Sequence, residues 1–348
     1  MEDRNMRTLR PSKPLLAAAL GCAAALLAAG PALADPSVTP AATDIVGVGS
    51  DTTQALFNQL STDYTGTPHL YSWDATGTSP ITPKTGASSI ARPNGSSAGI
   101  TALAANTSAT IDYARSSRGP KIGSDPTGLS FIAFAKDAVS WASEKSGDAP
   151  TNLTTADLKS IFTCTYTKWN QITDISGYTG SANTIQAFLP QLGSGTRSFF
   201  ESVIGITDAQ VGSCVNQTVE ENEGTNTLLQ TKDSIVPYSV GHYIGQVYGG
   251  HTTTTDAPGP LVVQETNGIA PIDTTNKVIS SAEASSPYAR TLYNVVRTAD
   301  WNKGDAHATA LKAIFGSTGY VCKNTKAVAD VKSYGFLPLG LCGGITTT

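Results

Sequence analysis

Residues 187–200 (AFLPQLGSGTRSFF) carry the strongest structural signal: a short apolar strand, a glycine-rich turn and the start of a helix, in that order. Residues 45–53 (IVGVGSDTT) and 95–99 (GSSAG) have related turns, and residues with helical spacing follow each of them. Strands that alternate with helices are typical of an α/β protein with a parallel or mixed sheet. Further strands are predicted at residues 111–114, 234–240 and 290–296, and helices near residues 154–162, 306–315 and 325–334.

The first 34 residues have the form of a secretory signal peptide, with a basic start and an apolar segment at residues 15–29. Small residues at Ala32 and Ala34 place the cleavage after Ala34, and we expect a secreted, extracellular protein. The alternative is a membrane-anchored lipoprotein through Cys22, but Cys22 lies inside the apolar run and not at its end. No later segment of about 18 residues is apolar enough to span a membrane.

Two lobes are expected, because a mature chain of about 314 residues exceeds one ordinary core. Residues 129–139 (LSFIAFAKDAV) are a nearly continuous apolar run, typical of a strand buried on both faces, and we interpret them as the first crossing between the lobes. Residues 249–260 are rich in Gly, Thr and Pro, and we interpret them as the linker through which the chain returns to the first lobe. We therefore expect a first lobe from residues 35–136 and 256–348, and a second lobe from residues 137–255.

The charge of the mature chain excludes some partners. It keeps 19 basic and 25 acidic residues, a net charge of −6. A nucleic-acid partner is therefore not expected. An anionic ligand would have to be bound by local dipoles and hydrogen bonds, because the overall field repels it.

The cysteines that remain after cleavage are even in number and form no C-x-x-C pair. In an exported protein this pattern indicates structural disulfides. Three pairings are possible, and we expect neighbouring pairing because it keeps each bridge within one lobe. The expected bridges are Cys164 with Cys214 and Cys322 with Cys342.

The three glycine-rich turns point to an anion site. A helix N-terminus presents unpaired backbone N–H groups and about half a positive charge, and glycine allows an anion to approach that backbone. Serine and threonine hydroxyls add neutral donors. Each turn alone is explained as well by helix capping, since Ser, Thr and Gly are favoured there. Three such turns together favour a shared oxyanion site between the lobes.

The sequence resembles the periplasmic-type phosphate-binding proteins of ABC transporters, and among them the secreted actinobacterial members. The resemblance extends from GSDTTQ at residues 49–54 through LPQLGSGTRSFF at residues 189–200 to GFLPL at residues 335–339. It implies a two-lobed class II periplasmic-binding-protein (Venus flytrap) fold with phosphate or a similar oxyanion in the interlobe cleft. It further implies a monomer without a cofactor, and an ABC permease as partner.

The resemblance also implies the residues of the site. They are Ser50, Asp51 and Thr52 in the first turn, Ser96 or Ser97 in the second, and Ser194, Gly195 and Thr196 in the third. Asp51 has two interpretations. It could accept a hydrogen bond from a protonated phosphate oxygen, which would select phosphate against sulfate, or it could be a carboxylate stabilised by the helix dipole.

The sequence departs from the family pattern at two places. The family motif is Arg-x-Asp-Gly-Ser-Gly-Thr, in which Arg pairs with the anion and Asp holds Arg, and here Pro190 and Leu192 occupy those positions. The family loop after the third strand supplies an Asp that accepts the proton of hydrogen phosphate. Its nearest match in this chain is Ser117.

Nearby arginines could replace the missing charge through bidentate contacts. The candidates are Arg115, Arg118 and Arg197, and we predict that Arg115 or Arg197 faces the anion. The alternative is that all three are solvated surface arginines.

Two other functions were weighed. A hydrolase is not favoured, because residues 192–196 (LGSGT) lack the Gly that a nucleophile elbow requires and the four histidines show no metal-ligand spacing. We therefore predict neither an enzyme nor a metal site. The remaining alternative is a secreted scavenging or interaction protein that kept the flytrap fold with an altered pocket that is not selective for phosphate. Scattered aromatic residues such as Trp73, Trp141, Trp169 and Tyr238 are expected at core and hinge positions, where they pack and do not form a sugar-stacking platform.

Overall fold

Strands and helices alternate along residues 35–348, the part of the chain that this computed structural model describes. The strands are β1 (Ile45–Gly49), β2 (Leu70–Ser72), β3 (Tyr113–Ser116), β4 (Leu129–Glu144), β5 (Asn152–Leu153), β6 (Gln186–Pro190), β7 (Asn216–Val219), β8 (Ser234–Ser239), β9 (Leu261–Val263), β10 (Glu265–Thr266), β11 (Ile272–Asp273), β12 (Val278–Ile279), β13 (Ala289–Arg297), β14 (Leu337–Pro338) and β15 (Ile345–Thr347). The helices are α1 (Gln54–Asp63), α2 (Ser96–Ala105), α3 (Thr155–Phe162), α4 (Gly195–Ile204), α5 (Val240–Val247), α6 (Thr298–Asn302), α7 (Ala306–Phe315), α8 (Tyr320–Lys323) and α9 (Thr325–Ser333). Short 3-10 helices lie at Trp169–Gln171, Asp208–Gln210, Thr227–Leu229 and Glu283–Ser285. The signal-peptide prediction and Cys22 fall outside the described residues.

Strand β4 joins two groups of strands. Its side chains are buried along nearly its whole length, as the apolar run predicts, and it continues five residues beyond the expected end at residue 139. Residues 129–138 pair with β13, while residues 139–142 pair with β8. A strand buried on both faces has no polar face to alternate with, which explains its continuous hydrophobicity.

The first group of strands has the order β2-β1-β3-β13-β4, and β14 and β15 also pair with β4. Strands β1, β2 and β3 are parallel, whereas β13 is antiparallel to both β3 and β4. The two faces of these strands carry different core clusters. One contains Ile45, Tyr113 and Ile132, and the other contains Val48 and Phe131. This alternation follows from the two-residue period of a strand.

The second group has the order β4-β8-β6-β7, with β9 paired to the end of β4. Strands β6, β7 and β8 are parallel to one another. Trp141, Trp169 and Tyr238 are buried in the cores of this group, which confirms their predicted packing role. Trp73 is only partly buried and packs against a core cluster of the first group. Strand β9 pairs with the end of β4, and β10 pairs with β5 in a separate two-stranded sheet, so residues 261–263 still belong to this group. The chain rejoins the first group through β13.

Both disulfides have the predicted partners. Cys164 is bonded to Cys214, and Cys322 is bonded to Cys342. The first bridge joins the end of α3 to the segment before β7, within the second group of strands. The second ties α8 to the segment between β14 and β15 in the first group. Within residues 35–348, no helix is long and apolar enough to cross a membrane.

Candidate anion-binding cleft

The first and third predicted turns meet in the structure, although 144 residues separate them. Thr52 follows β1 and Thr196 lies in the first turn of α4, and their Oγ1 atoms are 3.2 Å apart. Both side chains are buried. The two turns lie at the carboxyl ends of parallel strands, where the crevice of an open α/β sheet forms. We refer to the space between these turns as the cleft.

The second turn lies against the third. Gly95 precedes α2 with a φ of 95°, and the Ser97 amide donates to the Gly193 carbonyl at 3.0 Å. Ser96 Oγ accepts from the Ser117 amide at 3.0 Å. A Cβ added to Gly195 would collide with the hydroxyls of both these serines. The absence of a side chain at Gly195 therefore allows the close approach of α4.

Hydroxyls in the other predicted positions have different environments. Ser194 Oγ accepts from the Arg197 amide at 2.9 Å and so caps α4, as the capping interpretation of this turn requires. Ser97 Oγ accepts from Arg118 Nε at 3.1 Å. Ser50 Oγ is buried and has no hydrogen-bond partner among residues 35–348.

The alternative that Arg115, Arg118 and Arg197 are solvated surface residues is wrong, because all three are buried. Arg115 donates to the carbonyls of Ser50 and Trp73 and to a serine hydroxyl. Arg197 contacts Glu201, Asp208 and the carbonyl of Pro190. These partners occupy both guanidinium groups and do not favour the prediction that one of them faces an anion.

A different arginine lies at the cleft. Arg290 of β13 donates from Nη2 to Thr196 Oγ1 at 3.0 Å and forms a buried ion pair with Asp137 of β4 at 2.8 Å. Its Nη1 is buried and has no partner in the described part of the chain. Asp137 is held in turn by the Ser239 hydroxyl and the Gly241 amide, at 2.8 and 2.9 Å. The guanidinium is therefore fixed in place with one donor unused.

A carboxylate also lies in the cleft. Glu221 Oε2 accepts from Thr52 Oγ1 at 2.7 Å and from Thr196 Oγ1 at 2.8 Å, so it bridges the first and third turns. Its other oxygen, Oε1, is buried without a hydrogen-bond partner among the described residues. The segment that carries Glu221 follows β7 and contains Asn222, whose Nδ2 donates to Asp51 Oδ1 at 3.3 Å.

Asp51 is buried in this environment, and its pKa is raised well above the ordinary value. Burial is the main cause, and the charges of Glu221 and Asp256 add to it, whereas His242 and Asn222 oppose it. Asp51 is therefore protonated more readily than an exposed aspartate. A protonated carboxyl group can donate a hydrogen bond to an anion, which differs from the acceptor role considered for Asp51.

His242 of α5 brings a positive charge to the first turn. Its Nδ1 lies 3.0 Å from the carbonyl of Thr52, and its Nε2 lies 2.6 Å from Asp256 Oδ1. Because a carbonyl and a carboxylate both accept, each ring nitrogen must donate, which makes the ring an imidazolium. Burial lowers the pKa of His242, but the charge and hydrogen bond of Asp256 outweigh it and raise the pKa to about 9.

The predicted site residues do not include Arg290, Asp137, Glu221 or His242. A usable signal exists for Asp137, because Lys136 and Asp137 interrupt a long apolar run and a buried charge needs a partner. No comparable signal marks Glu221, which belongs to an acidic stretch, residues 220–223 (EENE), that reads as a solvated loop. Residues 35–348 contain no cluster of His, Cys, Asp and Glu that could hold a metal ion.

Comparison with known proteins identifies the family. The model of the PBP superfamily domain matches residues 34–332. The chain belongs to the PBP superfamily. This membership agrees with the prediction of a binding protein and not an enzyme. A comparison with curated proteins finds no match.

This PBP superfamily member is similar in fold to solved structures, and two of them are covered over 99% of their own length. An ABC-type phosphate transport receptor from Vibrio cholerae is 18% identical, with a TM-score of 0.57 over 84% of this chain and 99% of that one. A substrate-binding protein assigned to phosphate ABC transport in Clostridium perfringens, with bound phosphate, is 14% identical, with a TM-score of 0.60 over 85% and 99% of the two chains. At such identities the likeness establishes the fold alone, and that fold is the predicted two-lobed periplasmic-binding-protein architecture.

Proposed function

We propose that this protein is an exported solute-binding protein that binds phosphate or a related oxyanion in the cleft. The observation that carries the proposal is the convergence of the Thr52 and Thr196 hydroxyls with the guanidinium of Arg290. The three groups come from the turn after β1, from α4 and from β13, and they can donate to one small ligand. Such a cluster suits an anion that accepts several hydrogen bonds.

The start of α4 adds donors of another kind. The first amides of a helix have no carbonyl partner within the helix, and they carry the positive end of its dipole. Gly195 and Thr196 occupy these positions in α4. Under this proposal Arg290 has the role that the resemblance assigns to the arginine of the family motif. Asp137 holds Arg290, as the aspartate of the motif would, because the position of that aspartate is occupied here by Leu192.

Relatives support phosphate as the ligand. The Vibrio cholerae protein is named as a phosphate transport receptor, and the Clostridium perfringens protein was crystallised with phosphate. By this analogy the protein would deliver its ligand to an ABC permease. Processing after Ala34 would release it as a secreted monomer, whereas lipidation at Cys22 would anchor it.

The two groups of strands correspond to the proposed lobes. Residues 35–136 and the C-terminal segment form the first lobe, and the second lobe begins at residue 137. Strands β4 and β13 are the crossing segments under this proposal, with the return placed at β13 because β9 still pairs with the end of β4 that belongs to the second group. Arg290 and Asp137 then lie at the hinge, where an anion would contact both lobes.

Calorimetric titration of the mature, oxidised protein with phosphate, arsenate and sulfate tests the proposal. We expect phosphate to bind, and the substitutions Thr52→Val and Thr196→Val each to weaken binding about 10- to 100-fold, since a lost hydrogen bond to a charged group costs about 1.5–3 kcal/mol. Thr53→Val is the matched control, because the Thr53 hydroxyl is buried without a hydrogen-bond partner in the described region. Failure of the wild-type protein to bind any of the anions would disprove the proposed function.

One observation favours the alternative of an altered pocket. Glu221 places a carboxylate on the same hydroxyls that would bind the anion. A scavenging or interaction protein with such a pocket would not select phosphate. The titration separates the two functions, because an altered pocket would show no preference for phosphate over sulfate.

A further inference from the structure

Three consecutive side chains of the segment after β7 reach across the cleft. Asn94 Nδ2 donates to both carboxylate oxygens of Glu220, at 3.1 and 3.0 Å. Glu221 accepts from Thr52, and Asn222 donates to Asp51. Asn94, Thr52 and Asp51 all belong to the first group of strands and its turns, while β7 belongs to the second. The segment of residues 220–222 therefore joins the two groups.

Glu221 differs from its neighbours in what it contacts. Its partners are the hydroxyls of Thr52 and Thr196, which are the donors that the proposed function assigns to an external oxyanion. A carboxylate is itself an oxyanion, and it satisfies both donors at charge-assisted distances. The donors of the cleft are thus occupied by a group from the same chain.

We propose that Glu221 is an internal ligand of the cleft, whose carboxylate competes with an external oxyanion for Thr52 and Thr196. The inference rests on the proposed function and concerns its affinity: an anion enters only when the side chain of Glu221 leaves the two hydroxyls. Glu221 would in this way set the ligand concentration at which the protein responds.

The charges around the cleft indicate that Glu221 and an external anion compete for the hydroxyls and do not bind them together. Arg290 is paired with Asp137, and His242 is paired with Asp256, so each cation already has a carboxylate partner. Glu221 forms no ion pair among the described residues. A second anion placed at the same hydroxyls would therefore face an unneutralised carboxylate at close range.

The carboxylate of Glu221 is only partly hydrogen bonded, which favours its displacement by an external anion. Only Oε2 is hydrogen bonded, and Oε1 is buried without a partner in the described part of the molecule. Burying a charged oxygen without a partner is costly. Moving Glu221 to solvent would recover the hydration of its carboxylate and free both hydroxyls for the incoming anion.

The test is calorimetric titration of the full mature chain with inorganic phosphate at fixed pH and ionic strength. Glu221→Gln keeps the shape of the side chain but removes its charge, and we expect phosphate to bind at least about tenfold more tightly, because neutral hydrogen bonds are about half as strong as charge-assisted ones. Glu220→Gln is the matched control. It removes the same charge from the neighbouring residue, whose side chain touches neither hydroxyl. It should change the affinity less than about threefold, because Glu220 is only half-buried, so that solvent screens its charge, and it contacts Asn94 instead of the two hydroxyls.

A second variant guards against misfolding. Glu221→Asp shortens the side chain by one methylene and withdraws the carboxylate from the hydroxyls, so it should also tighten phosphate binding. Thermal unfolding without phosphate should show both Glu221 variants folded, with cooperative transitions like that of the wild type. A gain of affinity in variants that fold normally is the signature of an internal ligand.

Each outcome decides a separate point. Tighter binding in the Glu221 variants than in a wild type that binds phosphate supports the inference. Unchanged or weaker binding in these variants, with a wild type that binds phosphate, overturns the internal ligand and leaves the proposed function standing. No binding in the wild type overturns the proposed function and the inference with it.

Discussion

Arg290 and Asp137 are register partners on the antiparallel strands β13 and β4, and their side chains form a buried ion pair at 2.8 Å. They are 153 residues apart in sequence. Opposite residues on neighbouring antiparallel strands are close enough for such a pair. The sheet can therefore supply, from two distant segments, the held arginine that the family motif supplies from one.

The substitution Arg290→Met should reduce both stability and phosphate binding. It leaves Asp137 buried without its cation, which costs about 3–5 kcal/mol of unfolding free energy. The double substitution Arg290→Met with Asp137→Asn should recover most of this loss, because no unpaired charge remains, but it should not recover binding. Urea unfolding and calorimetry measure the two effects separately.

Arg297→Gln is the control for this experiment, because Arg297 lies on the same strand and is paired with Asp300 away from the cleft. It should leave phosphate binding unchanged. Phosphate binding of wild-type strength in the double variant would show that Arg290 has no part in holding the anion.

Local patterns in the sequence predict most of the fold and only part of the cleft. Helix α7 begins and ends at the predicted residues 306 and 315, because its capping residue and apolar spacing are local. The three turns are predicted for the same reason, whereas the disulfide pairing is predicted because neighbouring pairing keeps each bridge within one lobe. Arg290 and Glu221 could not be predicted, because their roles depend on strand register and loop placement, which no short stretch of sequence records.

The stability contributed by His242 should depend on pH. Its pKa rises from 6.5 to about 9 in the folded protein, so folding favours the protonated ring. The contribution is complete below about pH 6.5 and is lost as the pH rises through about 9. The wild type should exceed His242→Asn by up to about 3 kcal/mol at pH 6, with a shrinking difference toward pH 10.

Urea unfolding at several pH values measures this difference. His69→Asn makes the same substitution at an exposed position outside the cleft, and it should change the unfolding free energy by less than about 0.5 kcal/mol. A difference between the wild type and His242→Asn that stays constant from pH 6 to pH 10 would contradict a protonated His242.

The two disulfides should differ in what they contribute. The bridge from Cys164 to Cys214 closes 50 residues and that from Cys322 to Cys342 closes 20. In the chain-entropy model these loops correspond to about 4 and about 3 kcal/mol. Replacing each pair by alanine and measuring urea unfolding tests the order, and a larger loss from the shorter loop would show that the entropy of the unfolded chain does not dominate.

Gly195→Ala should hold α4 away from the other turns. The new methyl group would collide with the hydroxyls of Ser96 and Ser117, and either α4 or those serines must move. Overpacking of this kind costs about 1–3 kcal/mol. The same displacement would separate Thr196 from Thr52, so phosphate should bind about tenfold or more weakly when measured by calorimetry.

Gly119→Ala is the matched control for this last substitution. Gly119 follows the loop of Ser117, and a Cβ there would meet only the Tyr293 ring, at an ordinary 3.9 Å. It should affect neither stability nor binding. If Gly195→Ala bound phosphate as well as this control, the close approach of α4 to Ser96 and Ser117 would not be needed for capture, and an anion would have to bind with the turns further apart than they are in this structure.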